Sequence, residues 1–298
     1  MNKDFMHNSH ENDTLYTIDV DGTERSYLVH VPSGVSASEP LPVVLAFHGG
    51  RSNAEGMVRF CGLNPFADEA GFVVVYPNGT GPQPHLLSWD AGICCNDHPP
   101  DHPPADEIGF VAAMLDDLSA RLPVDVSRVY ATGMSNGGML SYRLAAELSE
   151  RIAAIASIGG TMGTECCSPA RPVPILHMHG TEDYFVPLEG GRGKRSPSRT
   201  EFFSVAHTLD CWKAANRCDA APLRTEFPVL VDDGTSVWRE VFPPGDTGAV
   251  IELYTIEGGG HTWPGQKPPL LFLGKSTKNL DANAVLWKFF EKHRLPEA

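Results

Sequence analysis

In residues 128–148, RVYATGMSNGGMLSYRLAAEL, strand-forming residues run into Gly-Met-Ser-Asn-Gly and then continue at helical spacing. Few folds accommodate that order. A strand that becomes a helix within five residues needs small residues at 133 and 137, where side chains would collide. The turn then holds Ser135 at its tip, with the hydroxyl outward at the carboxyl edge of a sheet. The N–H groups that open the helix point back at the same spot, where negative charge is favoured. A tight turn would explain the glycines alone. A nucleophile explains the glycines and the serine between them, and the strand–turn–helix setting favours that reading.

The rest of the chain repeats the alternation. LYTIDVDGTERSYLVHVP reads as a hairpin turning at Asp21-Gly22. LPVVLAFHGG and GFVVVYPNGTG are continuous apolar runs that end in loop residues, the pattern of strands buried on both faces. Ile108, Val111, Leu115 and Leu118 follow helical spacing from Glu107 to Leu122, and Pro123 stops the run. IAAIASIGG, VPILHMHG and VIELYTIEGGG read as further strands, and LDANAVLWKFFEKH as a closing amphipathic helix with Asp281 near its start. Apolar strands alternating with helices predict an α/β fold: a mostly parallel central sheet with helices on both faces. Neither an internal repeat nor a low-complexity linker divides the 298 residues. Residues 1–14 read as a polar tail and 15–298 as one catalytic domain.

Charge and cysteine content narrow the surroundings. A net charge of −14 opposes nucleic acid, anionic membranes and polyanions, and points to a neutral partner. No apolar run is long enough to span a bilayer. The N-terminus, MNKDFMHNSHENDT, lacks the apolar core of a signal peptide. Seven cysteines, with adjacent pairs at Cys94–Cys95 and Cys166–Cys167, instead suit an oxidising compartment and leave at least one thiol unpaired. Export with the leader already removed is the preferred location, extracellular or periplasmic, with a reduced cytosolic protein the rival. The connectivity of the cysteines stays open.

A serine hydroxyl needs a base to take its proton, and the base needs an orienting acid. In this strand–turn–helix setting the chain order is serine, acid, histidine. Asp183 follows the VPILHMHG strand and His261 follows VIELYTIEGGG, so both fall at carboxyl ends of strands, where open α/β sheets place their sites. Glu182 is the rival acid. The oxyanion formed during attack needs two donors. One is the N–H of Asn136, directly after the nucleophile; the other comes from the HGG loop after the early strand, with Gly50 the choice and Arg51 its neighbour in contention. His177 and His179 form an H-x-H pair, a metal spacing, but read as packed strand residues. The NDHPPDHPPADE stretch (Asp97, His98, Asp101, His102, Asp106, Glu107) reads as a stiff surface loop, and GGRGKRSPSRTE as a solvated insertion. Neither a metal nor a cofactor is required.

VVLAFHGG, SWDAGICC, ADEIGFV, VDVSRVYATGMSNGGMLSYRLA, HGTEDYFVPLEGG and GGGHTWPG, in that order over about Leu15 to His293, resemble the polyhydroxybutyrate depolymerase-like esterases. These are α/β-hydrolases near carbohydrate esterase family one, with its feruloyl and acetylxylan esterases. The resemblance implies Ser135 as nucleophile, Asp183 as acid and His261 as base, in agreement with the residue-by-residue reading. It also implies that Trp89 and Trp263 lie near the acyl pocket, against a competing position in the core. The expected activity is hydrolysis of soluble carboxylic esters through an acyl-enzyme: feruloyl or other hydroxycinnamoyl, short-acyl, or hydroxyalkanoate oligomers, small or linked to an oligosaccharide. Acetylxylan esterase and polyester depolymerase are the alternatives. A peptidase, an acyltransferase and a carbohydrate-binding protein on the same fold compete at lower rank.

Overall fold

The computed structural model describes residues 13–33, 39–94, 105–165, 167–218, 220–246 and 248–296. The chain opens with the hairpin β1 (Asp13–Val20) and β2 (Thr23–His30). Asp21 and Gly22 both take positive φ (50° and 80°), the pairing a two-residue hairpin turn requires. Asp19 Oδ1 accepts the Gly22 N–H at 2.9 Å and locks the turn. Next come β3 (Leu41–Phe47), helices α1 (Ala54–Cys61) and α2 (Leu63–Ala70), and β4 (Val73–Pro77). Asn53 caps α1 by accepting from Gly56 N–H, and Gly62, at φ 60°, ends α1 and begins α2. Pro65 sits in the first turn of α2, where the missing N–H costs nothing.

Helix α3 (Glu107–Arg121), capped by Asp106, leads to β5 (Val124–Met134), which runs straight into α4 (Asn136–Glu147). Strands β6 (Ala154–Ile158) and β7 (Ile175–Gly180), helix α5 (Val205–Ala215), strands β8 (Leu223–Glu226), β9 (Ser236–Phe242) and β10 (Ile251–Glu257), and helix α6 (Ala282–Phe290) complete the order. Asp281 caps α6 through Asn283 and Ala284 N–H groups.

Among the described residues ten strands form one sheet in the order β1-β2-β4-β3-β5-β6-β7-β10-β9-β8. The central block β4-β3-β5-β6-β7-β10 is parallel, and antiparallel pairs flank it on both sides. Its strands alternate strictly between two cores. Val43, Leu45, Phe47, Val129, Ala131, Ile155 and Ile175 pack against α3, α4 and α5. Val44, Ala46, Tyr130, Met134, Ala156, Leu176 and Met178 pack against α1, α2 and α6. Both faces are apolar and covered, which explains the continuous hydrophobic runs in the sequence. This is the α/β-hydrolase arrangement expected, although α1, α2, α5, β8 and β9 went unread.

Among the described residues no helix is long and apolar enough to cross a membrane. Cys95 and Cys166 lie outside the described residues; Cys94 is disulfide-bonded, and Cys61 is a buried free thiol.

Candidate active site

Four loops converge at the carboxyl edge of the parallel block, after β3, β5, β7 and β10. Between β5 and α4, Ser135 adopts φ 57° and ψ −119°, a backbone state that non-glycine residues rarely occupy. The strain persists because its neighbours leave no alternative. A methyl group on Gly133 would overlap the Gly137 carbonyl, and one on Gly137 would overlap the carbonyls of Phe47 and His48 at the end of β3. Ser135 N–H donates to Ile158 O at 2.8 Å, which fastens the turn to β6.

The acid and base arrive from the other side. His261 Nδ1 lies 2.6 Å from Asp183 Oδ2, and both residues are buried. Asp183 Oδ1 accepts the N–H groups of Phe185 and Val186, each at 2.9 Å. Burial pushes the Asp183 carboxyl up, but the His261 ring, His179 and the Val186 amide outweigh it and hold the group below its ordinary value. Asp183 is therefore an acceptor with both oxygens committed. The backbone N–H of His261 donates to Leu273 O at 2.7 Å, fixing the base to its own loop. Gly159 marks where the two halves meet. A Cβ built there would lie 3.3 Å from His261 Nδ1, 3.4 Å from Asp183 Oδ2 and 3.2 Å from Met134 Cε, the residue before Ser135.

Beneath Asp183 runs a chain the sequence reading did not find. Tyr142 Oη is 2.8 Å from His177 Nδ1, His177 Nε2 is 3.0 Å from His179 Nδ1, and His179 Nε2 is 2.8 Å from Val186 O. The terminal carbonyl can only accept, so every proton in the chain is placed: Tyr142 donates to His177, His177 to His179, and His179 to Val186. Burial, and for His177 its neighbour His179, pushes the two imidazoles below their ordinary values, in keeping with neutral rings. His179 Nε2 also lies 3.6 Å from Asp183 Oδ2. The H-x-H pair is thus spent on hydrogen bonds in the core, as expected of strand residues. Among the described residues no cluster of three or more histidine, cysteine or acidic side chains could hold a metal. Asp97, His98, Asp101 and His102 lie outside the described residues. Asp106 caps α3, and Glu107 is ion-paired with Arg25 at 2.7 Å.

Trp89 and Trp263 are corrected by the structure. Both are buried, at 0% and 1% exposure, so neither offers a face to a substrate. Trp263 Nε1 donates to Asn283 Oδ1 at 2.8 Å, in the core under α6. Trp89 instead fastens the two oxyanion candidates. Its Nε1 donates to His48 O (2.9 Å), and its backbone N–H and O bond the Asn136 side chain at 2.7 and 3.0 Å. One residue therefore holds both the loop carrying Gly50 and the residue after Ser135. Arg51 N–H is engaged by Ser88 Oγ at 3.2 Å, which favours Gly50 as the second donor.

His48, also missed, braces the same loop. Its Nδ1 meets Gly49 O at 2.8 Å, and its Nε2 accepts the Gly79 N–H at 3.1 Å. The signal was a histidine between an apolar strand and two glycines, a position with room only for a neutral, doubly bonded ring. Burial lowers its pKa to about 4. The unfolded chain therefore binds more protons than the fold between the ordinary value of about 6.5 and that point. Stability is full above pH 6.5 and falls as the pH is lowered through this window, by about 3 kcal/mol at pH 4 from this group. Urea unfolding at pH 7, 5.5 and 4.5 should contain that contribution beside those of the other buried histidines, and His48→Gln should make the slope shallower. An unchanged slope in the variant would assign the loss elsewhere.

The aromatic neighbour of the base is Phe185. Its ring stacks on His261, with centroids 5.1 Å apart at 23°, and touches the Phe272 ring at 6.1 Å. Phe272 and Leu271, on the loop that follows His261, are 52% and 94% exposed. Apolar side chains on an open rim beside the base form a surface on which a substrate can rest.

Comparison with known proteins agrees with this architecture. The family described as "Esterase PHB depolymerase" matches residues 25–186. A putative esterase, NocK, of Nocardia uniformis subsp. tsuyamanensis is 34% identical over 85% of this chain and 74% of its own length. Feruloyl esterase B of Piromyces equi is 28% identical over 80% of this chain and 42% of its own. A bifunctional acetylxylan esterase/xylanase of Neocallimastix patriciarum is 26% identical over 81% of this chain. The chain thus spans less than half of these two fungal relatives. Among solved structures, an acetyl xylan esterase from Aspergillus awamori superposes with a TM-score of 0.60 at 16% identity, covering 84% of this chain and 94% of that one. At that identity it supports the fold alone.

Proposed function

Since the chain belongs to the esterase PHB depolymerase family of carboxylic ester hydrolases, we propose that it cleaves soluble esters through an acyl-enzyme on Ser135. The observation that carries this reading is the 2.6 Å pair of His261 Nδ1 and Asp183 Oδ2 at the sheet edge that also bears the strained Ser135. Ser135 Oγ attacks the ester carbonyl while His261 Nε2 takes its proton. The carbonyl oxygen becomes an anion between the N–H groups of Asn136 and Gly50. Collapse expels the alcohol, which leaves with the proton held on His261. Water then repeats the sequence, releases the acid and restores Ser135.

The preferred substrates are hydroxycinnamoyl, short-acyl or hydroxyalkanoate-oligomer esters. Phe185 and Phe272 beside the base support an aromatic or apolar acyl group, a role earlier given to the two tryptophans. The printed name of the Piromyces equi relative points the same way. Insoluble polyester demands a surface that holds the polymer while one ester enters, and it ranks below soluble esters in this reading. The test is a panel: aryl esters of graded acyl length, methyl ferulate, hydroxybutyrate oligomers, acetylated xylan and a polyester film. Turnover of the soluble aryl and feruloyl esters is expected. Clearing of the film ahead of every soluble ester would replace this reading with a depolymerase, and deacetylation of xylan alone with an acetylxylan esterase.

A further inference from the structure

The net charge of −14 conceals a separation of charge. The two connections that deliver the acid and the base, residues 181–204 and 258–281, together carry seven basic and five acidic residues. The remaining chain carries 16 basic and 32 acidic residues. One of the five acids is the buried Asp183, and Glu201 is taken up by Arg192 at 3.4 Å. Glu182 and Glu189 are the other exposed acids of the first connection. These two connections are thus net positive on an otherwise strongly acidic protein.

The basic insertion read as a solvated surface loop is, in fact, folded onto the rim. Arg195 N–H donates to Tyr184 O at 2.9 Å, and Arg195 Nη1 donates to Phe272 O at 2.5 Å. The Arg195 guanidinium lies 5.3 Å from the centre of the Tyr184 ring, and Lys194 Nζ lies 5.9 Å from it. Gly193 packs so closely on the Phe185 carbonyl that a side chain there would overlap it. Two exposed cations therefore lie beside Tyr184, the residue that follows Asp183, and one of them, Arg195, is also tied to the exposed Phe272, whose partner Phe185 lies on His261. At about 0.1 M salt the screening length is about 10 Å, so distant acidic residues fade and these neighbours set the local field.

We propose that the site selects esters with an apolar body that rests on Phe185 and Phe272 and a carboxylate that faces Lys194 and Arg195. The inference rests on the esterase reading and adds a charge to its substrate. The chemistry is unchanged: the acyl C–O bond breaks, the acyl carbon gains hydroxyl and the alcohol gains a proton, both from water. An anion at this rim is attracted during encounter and held during turnover, so kcat/KM responds rather than kcat alone.

The test compares matched esters at about 0.1 M salt, where screening leaves the local field in place. On the acyl side, the 4-nitrophenyl monoester of glutaric acid is set against its neutral glutaramate counterpart. On the alcohol side, meta-carboxyphenyl butanoate is set against meta-carbamoylphenyl butanoate. In at least one pair the anionic ester is expected to have a kcat/KM about tenfold higher, with the ratio shrinking as salt rises. Lys194→Glu should lower that ratio at least about fivefold; it loses no side-chain hydrogen bond among the described residues, so it serves where Arg195→Glu disturbs the Phe272 loop. Arg151→Glu makes the same change of net charge at the opposite, amino edge of β6 and should leave the ratio unaltered. Equal kcat/KM within both pairs, or an equal response of the ratio to Lys194→Glu and Arg151→Glu, overturns the proposal while leaving the esterase reading intact. Failure to turn over any of the four esters, with Ser135 unlabelled by a phosphonate, overturns both.

Discussion

Replacing Ser135 with alanine is expected to lower kcat for every ester by about 10³ to 10⁶ and to end covalent labelling by a fluorophosphonate. The fold should survive the change. Ser135 makes its structural bonds through its backbone, with N–H to Ile158 O at 2.8 Å and its carbonyl to Met139 N–H at 2.9 Å. Alanine keeps both. It carries the same steric cost at φ 57° as serine, so the unfolding midpoint should move little. What is lost is the atom that becomes acylated. Residual turnover then measures what the oxyanion donors and binding supply without a covalent step. Labelling of another serine in the intact protein, or an unchanged rate in the variant, would remove Ser135 from the reaction.

Asp183→Asn should cost about 10⁴ in kcat, for a reason specific to this loop. The position of Oδ1 is fixed by two donors, the N–H groups of Phe185 and Val186. An asparagine must place its carbonyl oxygen there, because its NH₂ would face two N–H groups. The NH₂ then occupies the Oδ2 position, 2.6 Å from His261 Nδ1. His261 can meet that donor only by leaving Nδ1 bare and carrying its proton on Nε2, the nitrogen that must accept from Ser135. The backbone thus selects the inactive tautomer. Glu182→Gln serves as the comparison. Glu182 is exposed, and its backbone N–H, which bonds Gly259 O at 2.8 Å, survives substitution. Its rate should stay within about twofold, as surface changes usually do. A crippled Glu182→Gln beside a functional Asp183→Asn would exchange their roles.

What could be read in the sequence depended on how each segment is buried. Strands β3, β4 and β6 are covered on both faces and appear as nearly unbroken apolar runs, and the buried parts of β5, β7 and β10 lead into glycines or Gly-Met-Ser. Their order placed Ser135, Asp183 and His261 at one edge. Strand β8 is fully exposed and carries no periodic signal, and β9 is buried mainly at Val237 and Phe242. Helix α5 has its signal at Val205, Thr208, Leu209 and Trp212, but it follows closely on the basic stretch read as a solvated insertion. Helices α1 and α2 are short and share Gly62, which breaks the helical period where it would be sought. The side chains that surround the triad were less legible for a different reason. Trp89 and Phe185 are both aromatic residues beside motif positions, and only the path of the chain decides which one is packed in the core. Arg195 looked like a solvent-facing charge because nothing local ties it to Phe272, 77 positions away.

The clamp formed by Trp89 separates two properties of the molecule that selection can act upon. The residues that hold the proposed oxyanion donors, His48, Trp89 and the Asn136 side chain, are buried in the core. The residues proposed to meet a substrate, Phe185, Leu271, Phe272, Lys194 and Arg195, sit on two surface connections and share no hydrogen bond with that clamp among the described residues. Changes of substrate can therefore accumulate on the rim without disturbing the machinery that sets the rate. Divergence among relatives should accordingly be concentrated in the two connections, with the Trp89 clamp retained, and a library built to alter specificity can vary these five positions while Trp89 stays fixed.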